Sequence, residues 1–362
     1  MPVSPELASD LAAGVVGHYA EAERVLLSRI AKALAVGIDG PMWAERKLLE
    51  VQLLTARAKV LLTELERATS QSVAEAILVA WNRGSAVAAT DLARVLETAL
   101  SEVVDPLPGS RAVAMLVQET TSKVVSTHPR ILRATMDAYR EVVAKASGQT
   151  LLGTLTRRQA AQSALDAFAK RGITGFIDSS GRGWTMESYA EMAVRTATAH
   201  AAVAAHVDRL QAFGQDLVIV SDAPQECDLC RFWEGKVLSL SGGTIGTIDG
   251  SGGVRVAGTL PEATAAGLFH PGCRHSLGAY QPGVTKPMHD TADPEGDAAR
   301  QKLRYLERQV RSWKRTQTVA MDPAAERKAG AQVRAYQAKI RDHVASSSAK
   351  RQPQREGITR AH

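Results

Sequence analysis

Phe213-Gly214-Gln215-Asp216-Leu217-Val218-Ile219-Val220-Ser221 is where the chain changes period. Upstream, Thr185-Met186-Glu187-Ser188 opens a long helix reaching about Phe213, with Tyr189, Met192, Thr196 and Ala199 on one side. Downstream, the apolar β-branched run from Asp216 to Ser221 has the length and composition of a strand. Lys236-Val237-Leu238-Ser239-Leu240-Ser241 is a second strand, and the Gly- and Thr-rich stretch from Thr244 to Val256 carries hairpin signals. A short helix from Leu260 to Gly267 and a last strand from Ser276 to Tyr280 complete the segment. Residues 147–283 therefore read as an α+β domain with a small antiparallel sheet.

Both flanks read as helical. In the N-terminal domain, residues 1–146, Ser4-Pro5-Glu6 opens a helix carrying Val15, Tyr19, Ala22 and Leu26, broken at Gly37, Gly40 and Pro41. A second helix carries Leu48, Val51, Leu54 and Val60, and Ser70 is expected to cap a third with Val73, Ile77, Val79 and Trp81. Asp105-Pro106-Leu107-Pro108-Gly109 is a loop, Ser110 starts a helix to about Ser126, and His128-Pro129 marks a boundary. Ser147-Gly148 closes this set. Thr156 then caps a helix to Lys170, with Ala160 read as leaving the capping box incomplete, and Arg171-Gly172 ends it. Phe176 to Trp184 reads as a turn-rich link.

Residues 284–362 form a basic helical tail. Leu303, Leu306, Val310 and Trp313 make a narrow apolar seam, repeated by Val333, Tyr336, Ile340 and Val344, before a polar end from Ser346 expected to be mobile unless docked. From Gly283 onward there are 17 Lys and Arg against 9 Asp and Glu, whereas the rest of the chain carries 27 against 29. Such asymmetry suits an acidic partner, nucleic acid or an acidic protein face, with a solvated helical surface as the bland alternative, and Arg304, Arg308, Arg311, Lys314 and Arg315 are the candidate phosphate contacts. No run of about 18 apolar residues exists, so no membrane span is expected. Met1-Pro2-Val3-Ser4-Pro5 lacks the features of a secretory signal.

Three cysteines make a poor disulfide framework and fit a reducing compartment. Cys227-x-x-Cys230 and, about 40 residues on, His270-Pro-Gly-Cys273-Arg-His275 form the densest group of ligand-bearing residues. Zinc takes four soft or borderline ligands in a tetrahedron; Cys227, Cys230, Cys273 and His270 supply them, with His275 as the alternative fourth. Four protein ligands make a structural site, and the bland alternative is packing at a strand junction. Ser180-Gly-Arg-Gly-Trp184 lacks the spacing of a phosphate loop and reads as a turn. Glu187, Glu191 and Arg195 follow one another at helical spacing, as ordinary intrahelical ion pairs do, and no convincing catalytic pair of carboxylates is found.

From Gly172 to Gly283 the chain resembles the MuF-like phage head-morphogenesis family, of the phage minor capsid protein 2 type. The resemblance rests on an ordered set: Arg171-Gly172-Ile173-Thr174-Gly175, Gly181-Arg182-Gly183-Trp184-Thr185-Met186-Glu187-Ser188-Tyr189, Val194-Arg195-Thr196, Asp216 to Ser221, Trp233-Glu234-Gly235-Lys236-Val237-Leu238-Ser239 and Pro271-Gly272-Cys273-Arg274-His275-Ser276. It continues in the tail with Arg304-Tyr305-Leu306-Glu307-Arg308, Arg311-Ser312-Trp313-Lys314-Arg315 and Arg351-Gln352-Pro353-Gln354-Arg355-Glu356. Part of the family keeps only one of the Cys227 and Cys230 pair. The resemblance implies a non-enzymatic virion protein of tailed phages, made in the host cytoplasm and placed inside the capsid or near the portal. Portal or major capsid protein would be its partner, and phage DNA a further contact. A zinc-dependent hydrolase or toxin-like nuclease is the enzymatic alternative, motivated by the Cys/His group and by toxin-bearing relatives.

Overall fold

The computed structural model describes residues 5–96, 110–223, 226–248, 254–285 and 293–358. It is mainly helical with a small α+β part, as the sequence pattern indicates. In chain order come α1 (Pro5–Ala35), α2 (Trp43–Leu49), α3 (Val51–Leu96), α4 (Ser110–Val125), α5 (His128–Leu151) and α6 (Arg157–Arg171). The strands β1 (Thr174–Ile177) and β2 (Gly183–Thr185) precede α7 (Met186–Ala212). Next are β3 (Leu217–Val220), α8 (Asp228–Arg231), β4 (Val237–Ser239), β5 (Gly246–Ile248), β6 (Val254–Thr259), α9 (Leu260–Ala265) and β7 (Leu277–Ala279). Helices α10 (Pro294–Thr318) and α11 (Pro323–Ala345) follow, then a 3-10 turn at Pro353–Glu356. No described helix is long and apolar enough to cross a membrane.

Contacts gather the chain into two compact units, each drawn from several stretches: Met1–Ala13, Gln71–Thr121 and Met192–Ala298 in one, Gly14–Ser70, Ser122–Glu191 and Ala299–His362 in the other. The first holds a five-stranded sheet of order β5-β6-β4-β3-β7. Its pairings are antiparallel except β4 with β6, which run parallel, so the sheet is mixed. Strand β3 lies between β4 and β7, with Val218 opposite Leu238 on one side and Ala279 on the other. Both faces of β3 are covered: Val218 and Val220 join Leu92, Leu210, Leu238, Trp233 and Phe269, while Leu217 packs with Val237, Val256 and Tyr280. Two buried faces explain why the run at 217–220 is continuously apolar rather than alternating. Helices α3 and α7 meet at Gly84, where an added Cβ would fall 2.0 Å from the carbonyl oxygen of Ala202.

In the second unit, α1 buries Val15, Tyr19, Ala22 and Leu26, the stripe seen in the sequence. The two tail helices close on their expected seams, with Leu303, Leu306, Val310, Val333 and Ile340 buried together and Trp313, Tyr336 and Val344 packed at the margin. The polar end is docked: the Arg355 guanidinium pairs with Glu191 and Glu307, and Arg351 pairs with Glu356 at 2.7 Å.

Several local expectations are corrected. Ser70 caps nothing, because α3 runs unbroken through it; its hydroxyl donates to the Glu66 carbonyl at 2.8 Å, the way a serine is satisfied inside a helix. Helix α5 continues past Ser147-Gly148 to Leu151. The capping box of α6 is complete, since the third helical residue is Gln159, not Ala160, and it bonds back to Thr156. The stretch from Phe176 to Trp184 is a hairpin, β1 with β2. Asp178 organises its turn by accepting from the Ser180 hydroxyl (2.6 Å), the Ser180 and Arg182 amides and the Trp184 indole (3.0 Å), and these bonds, Ser180 first, hold its carboxyl down to about 2. The loop at 105–109 and the opening at Ser4 lie outside the described residues.

Candidate metal centre

The two cysteine-bearing segments meet beside the sheet. Cys227 precedes α8 in extended conformation, and Cys230 lies inside that single turn, fully buried. The turn is fixed by backbone bonds from the Cys230 amide to the Cys227 carbonyl (3.1 Å) and from the Trp233 amide to the Cys230 carbonyl (2.8 Å). The second segment follows α9. Phe269 sits at φ 62, a left-handed conformation unusual for an aromatic residue, and its carbonyl is held by His200 of α7 at 2.9 Å. Gly272 at φ 86 then lets the Cys273 amide turn back to the His270 carbonyl (2.9 Å). The strained backbone delivers His270 and Cys273 to the same spot.

Two overlapping trios result. The ligand atoms of Cys227, Cys230 and His270 lie within 4.8 Å of one another, as do those of Cys230, Cys273 and His275, and Cys230 is common to both. Cys227 Sγ is 3.0 Å from His270 Nε2, Cys230 Sγ is 3.5 Å from Cys273 Sγ, and Cys273 Sγ is 3.5 Å from His275 Nδ1. All three cysteines are free thiols.

Each imidazole has its far nitrogen occupied. His270 Nδ1 is 3.0 Å from the Pro271 carbonyl oxygen, and a carbonyl can only accept, so that nitrogen carries the proton and Nε2 faces the thiols with its lone pair. His275 Nε2 is 2.7 Å from Glu234 Oε1, which also accepts the Ala223 amide at 3.0 Å. With that nitrogen protonated against the carboxylate, Nδ1 faces Cys273. A backbone carbonyl or carboxylate behind the ring is the arrangement that orients metal-bound histidines. The hydrogen bond shared with Cys273, with burial, holds the Cys230 thiol up, whereas that bond and His275 pull Cys273 down. Three thiols and two oriented imidazoles in one half-buried cluster fit the donor chemistry of zinc. Cys227 and His270 are also within the reach of a nucleophile and its base, but Cys230 and Cys273 crowd the same space, which suits a closed ion better than a substrate.

Sequence reasoning found all five ligand candidates but missed Glu234. A carboxylate four residues past a C-x-x-C motif is the signal that could have found it. The tail cations were placed differently by the fold. Arg304 pairs with Glu307 at 2.8 Å, Arg311 with Glu187 at 3.3 Å and Arg315 with Glu23 at 3.6 Å, the last two among buried side chains. Arg308 is exposed, and Lys314 is half-buried with its pKa lowered by that burial. Glu187 and Glu191 reach Arg311 and Arg355 on other elements, contacts that their helical spacing alone does not indicate.

A helix-rich chain with one small mixed sheet stapled by a thiol–imidazole cluster is thus the class defined by fold and site. The profile of the family described as phage minor capsid protein 2 matches residues 3–345. The chain belongs to that phage minor capsid protein family. A structural protein of Lactococcus phage LL-H is 29% identical over 225 residues, covering 57% of this chain and 57% of that relative, so the match spans little more than half of the relative's length. No solved structure matches the chain.

Proposed function

We propose that this chain is a structural, non-enzymatic minor capsid protein acting in tailed-phage head morphogenesis. It works inside the capsid or near the portal, is made in the host cytoplasm, and contacts portal or major capsid protein. The observation that carries this reading is the family match across residues 3–345, supported by a relative described as a structural protein. In the same reading the Cys/His cluster holds a structural zinc through Cys227, Cys230, Cys273 and His270, with His275 the alternative fourth ligand. The supporting observation is that both imidazoles are oriented from behind by acceptors, which a merely packed cluster does not need. The test of the role is purification of phage particles. The protein is expected in mature heads, and heads that form normally and lack it would overturn the role.

DNA contact is a second reading, favoured by the exposed Arg308 on the basic tail. With Arg311 and Arg315 engaged by carboxylates, a phosphate contact from this helix falls chiefly to Arg308 and Lys314. Filter binding that weakens with salt, and weakens further in Arg308→Ala with Lys314→Ala, is expected; salt-independent retention or none sinks it.

A further inference from the structure

A groove of about 260 Å³ lies within the second unit, away from the metal centre. Its walls are Arg29, Lys32 and Ala33 of α1 with Val36 just past that helix's end, at helical spacing, and Leu53, Leu54 and Arg57 of α3. Tyr139 of α5 is part of its lining, and Glu50 stands at the entry to α3. The groove is mainly apolar, and its apolar lining is open: Val36 is 67% exposed and Leu53 54%; beyond the groove, two helical turns past Leu53 on the same face of α3, Val60 is 61% exposed. Aliphatic side chains this exposed and this close together mark an interaction surface rather than scattered surface apolars.

The charges around the groove are unbalanced. Glu50 is already engaged by Lys47, whose Nζ lies 2.9 Å from its carboxylate. Among the described residues, no carboxylate lies within ion-pair distance of Arg29, Lys32 or Arg57; the Arg29 guanidinium donates only to the Arg57 carbonyl, at 2.8 Å. Three cations therefore stand around an apolar slot without anionic partners. In its lining, the Tyr139 hydroxyl is buried against the Glu50 carboxylate, so burial first and then Glu50 raise its pKa.

We propose that this groove receives an amphipathic helix of a partner protein, with aliphatic residues on one face and carboxylates flanking them. The apolar face would cover Val36, Leu53 and Val60, and the carboxylates would meet Lys32 and Arg57. Two helices presenting i, i+3, i+4 and i+7 positions across a slot suit a third helix lying along them. The proposal is independent of zinc and of the capsid role, because it rests on this surface alone.

The test uses the full-length protein and a labelled synthetic helical peptide with Leu at alternating third and fourth positions and Glu on both flanks, beside a twin in which each Glu is Lys. Fluorescence anisotropy at low salt is expected to show the Glu peptide binding about tenfold or more tighter than the Lys twin. Lys32→Glu with Arg57→Glu is expected to reverse that preference, and Leu53→Asp to abolish binding of both peptides. These side chains have no internal carboxylate partner, so unchanged circular dichroism is expected for all variants, and a second helix-surface control, Lys59→Glu, is expected to bind as the parent does. Equal binding of the two peptides, no binding of either, or a charge-reversed groove that keeps the parental preference overturns the proposal.

Discussion

Cys230 is the residue on which the candidate site turns, since it belongs to both ligand trios and is the most deeply buried of the three thiols. Cys230→Ser is expected to remove bound zinc and lower Tm by on the order of 10 °C, because the binding energy of a structural ion is folding energy. Metal analysis and a thermal melt check it, and a variant that retains both metal and Tm contradicts the assignment. Elsewhere, His128 is a quieter test of burial. Its Nε2 shares a 2.7 Å hydrogen bond with the Tyr19 hydroxyl, and burial, opposed by Glu66, lowers its pKa below 6.5. As pH falls, the unfolded chain therefore takes the proton before the folded one does. The His128 contribution to stability is complete above about pH 6.5 and is lost progressively below it. Melts at about pH 7.5 and about pH 5.5 should show a smaller drop in His128→Gln than in the parent; an equal drop assigns the pH sensitivity elsewhere. These residue-scale details were only half legible. The ligand residues announce themselves by spacing, but the orienting roles of Glu234 and the Pro271 carbonyl are set by folding, and only the place of Glu234 just past the C-x-x-C leaves a trace in the chain.

Element boundaries were read best where the apolar period was clean. The seams of α10 and α11 and the strand β3 were visible because packing uses the residues that carry the period. Ser70 misled because serine serves equally as a cap and as a hydroxyl bonded back to the preceding turn, and the local sequence does not distinguish them. For Glu187 and Glu191 helical spacing gave only half of the picture, because both also reach Arg311 and Arg355 on elements distant in sequence. That pairing makes a test. Glu187 and Arg311 are 5% and 8% exposed at the side chain. Arg311→Met alone is expected to cost about 3 kcal/mol by leaving a buried carboxylate unpaired, and Arg311→Met with Glu187→Leu much less. Denaturant titration reads both, and equal losses would show that the pair carries no coupling. Helix α3 offers a second case. Gly→Ala inside a helix ordinarily stabilises, but Gly84→Ala would press a methyl group onto the Ala202 carbonyl, so a loss of about 1–3 kcal/mol is expected. A Tm equal to or above the parent's would mean that the α3–α7 approach is looser than described.

For the molecule as a whole, the division into consecutive segments at 146 and 283 describes the order of the chain, whereas its compact units each draw on three separate stretches. A sequence read from end to end reveals elements and their faces. It does not reveal which long helix lends its two halves to different cores, because each half is equally apolar. The fold class was legible and the family stood on the ordered motifs of the middle and tail, now matched by the family profile over residues 3–345. At this scale the proposed reading has a metal staple adding rigidity to a small sheet of short strands that also packs on its own apolar core. X-ray absorption at the zinc edge, on protein purified without chelator, tests this directly. The account predicts one zinc per chain with three sulfur ligands at about 2.3 Å and one nitrogen ligand. Metal-free protein with an unchanged Tm, or an ion with a bound water in its first coordination shell, would contradict it.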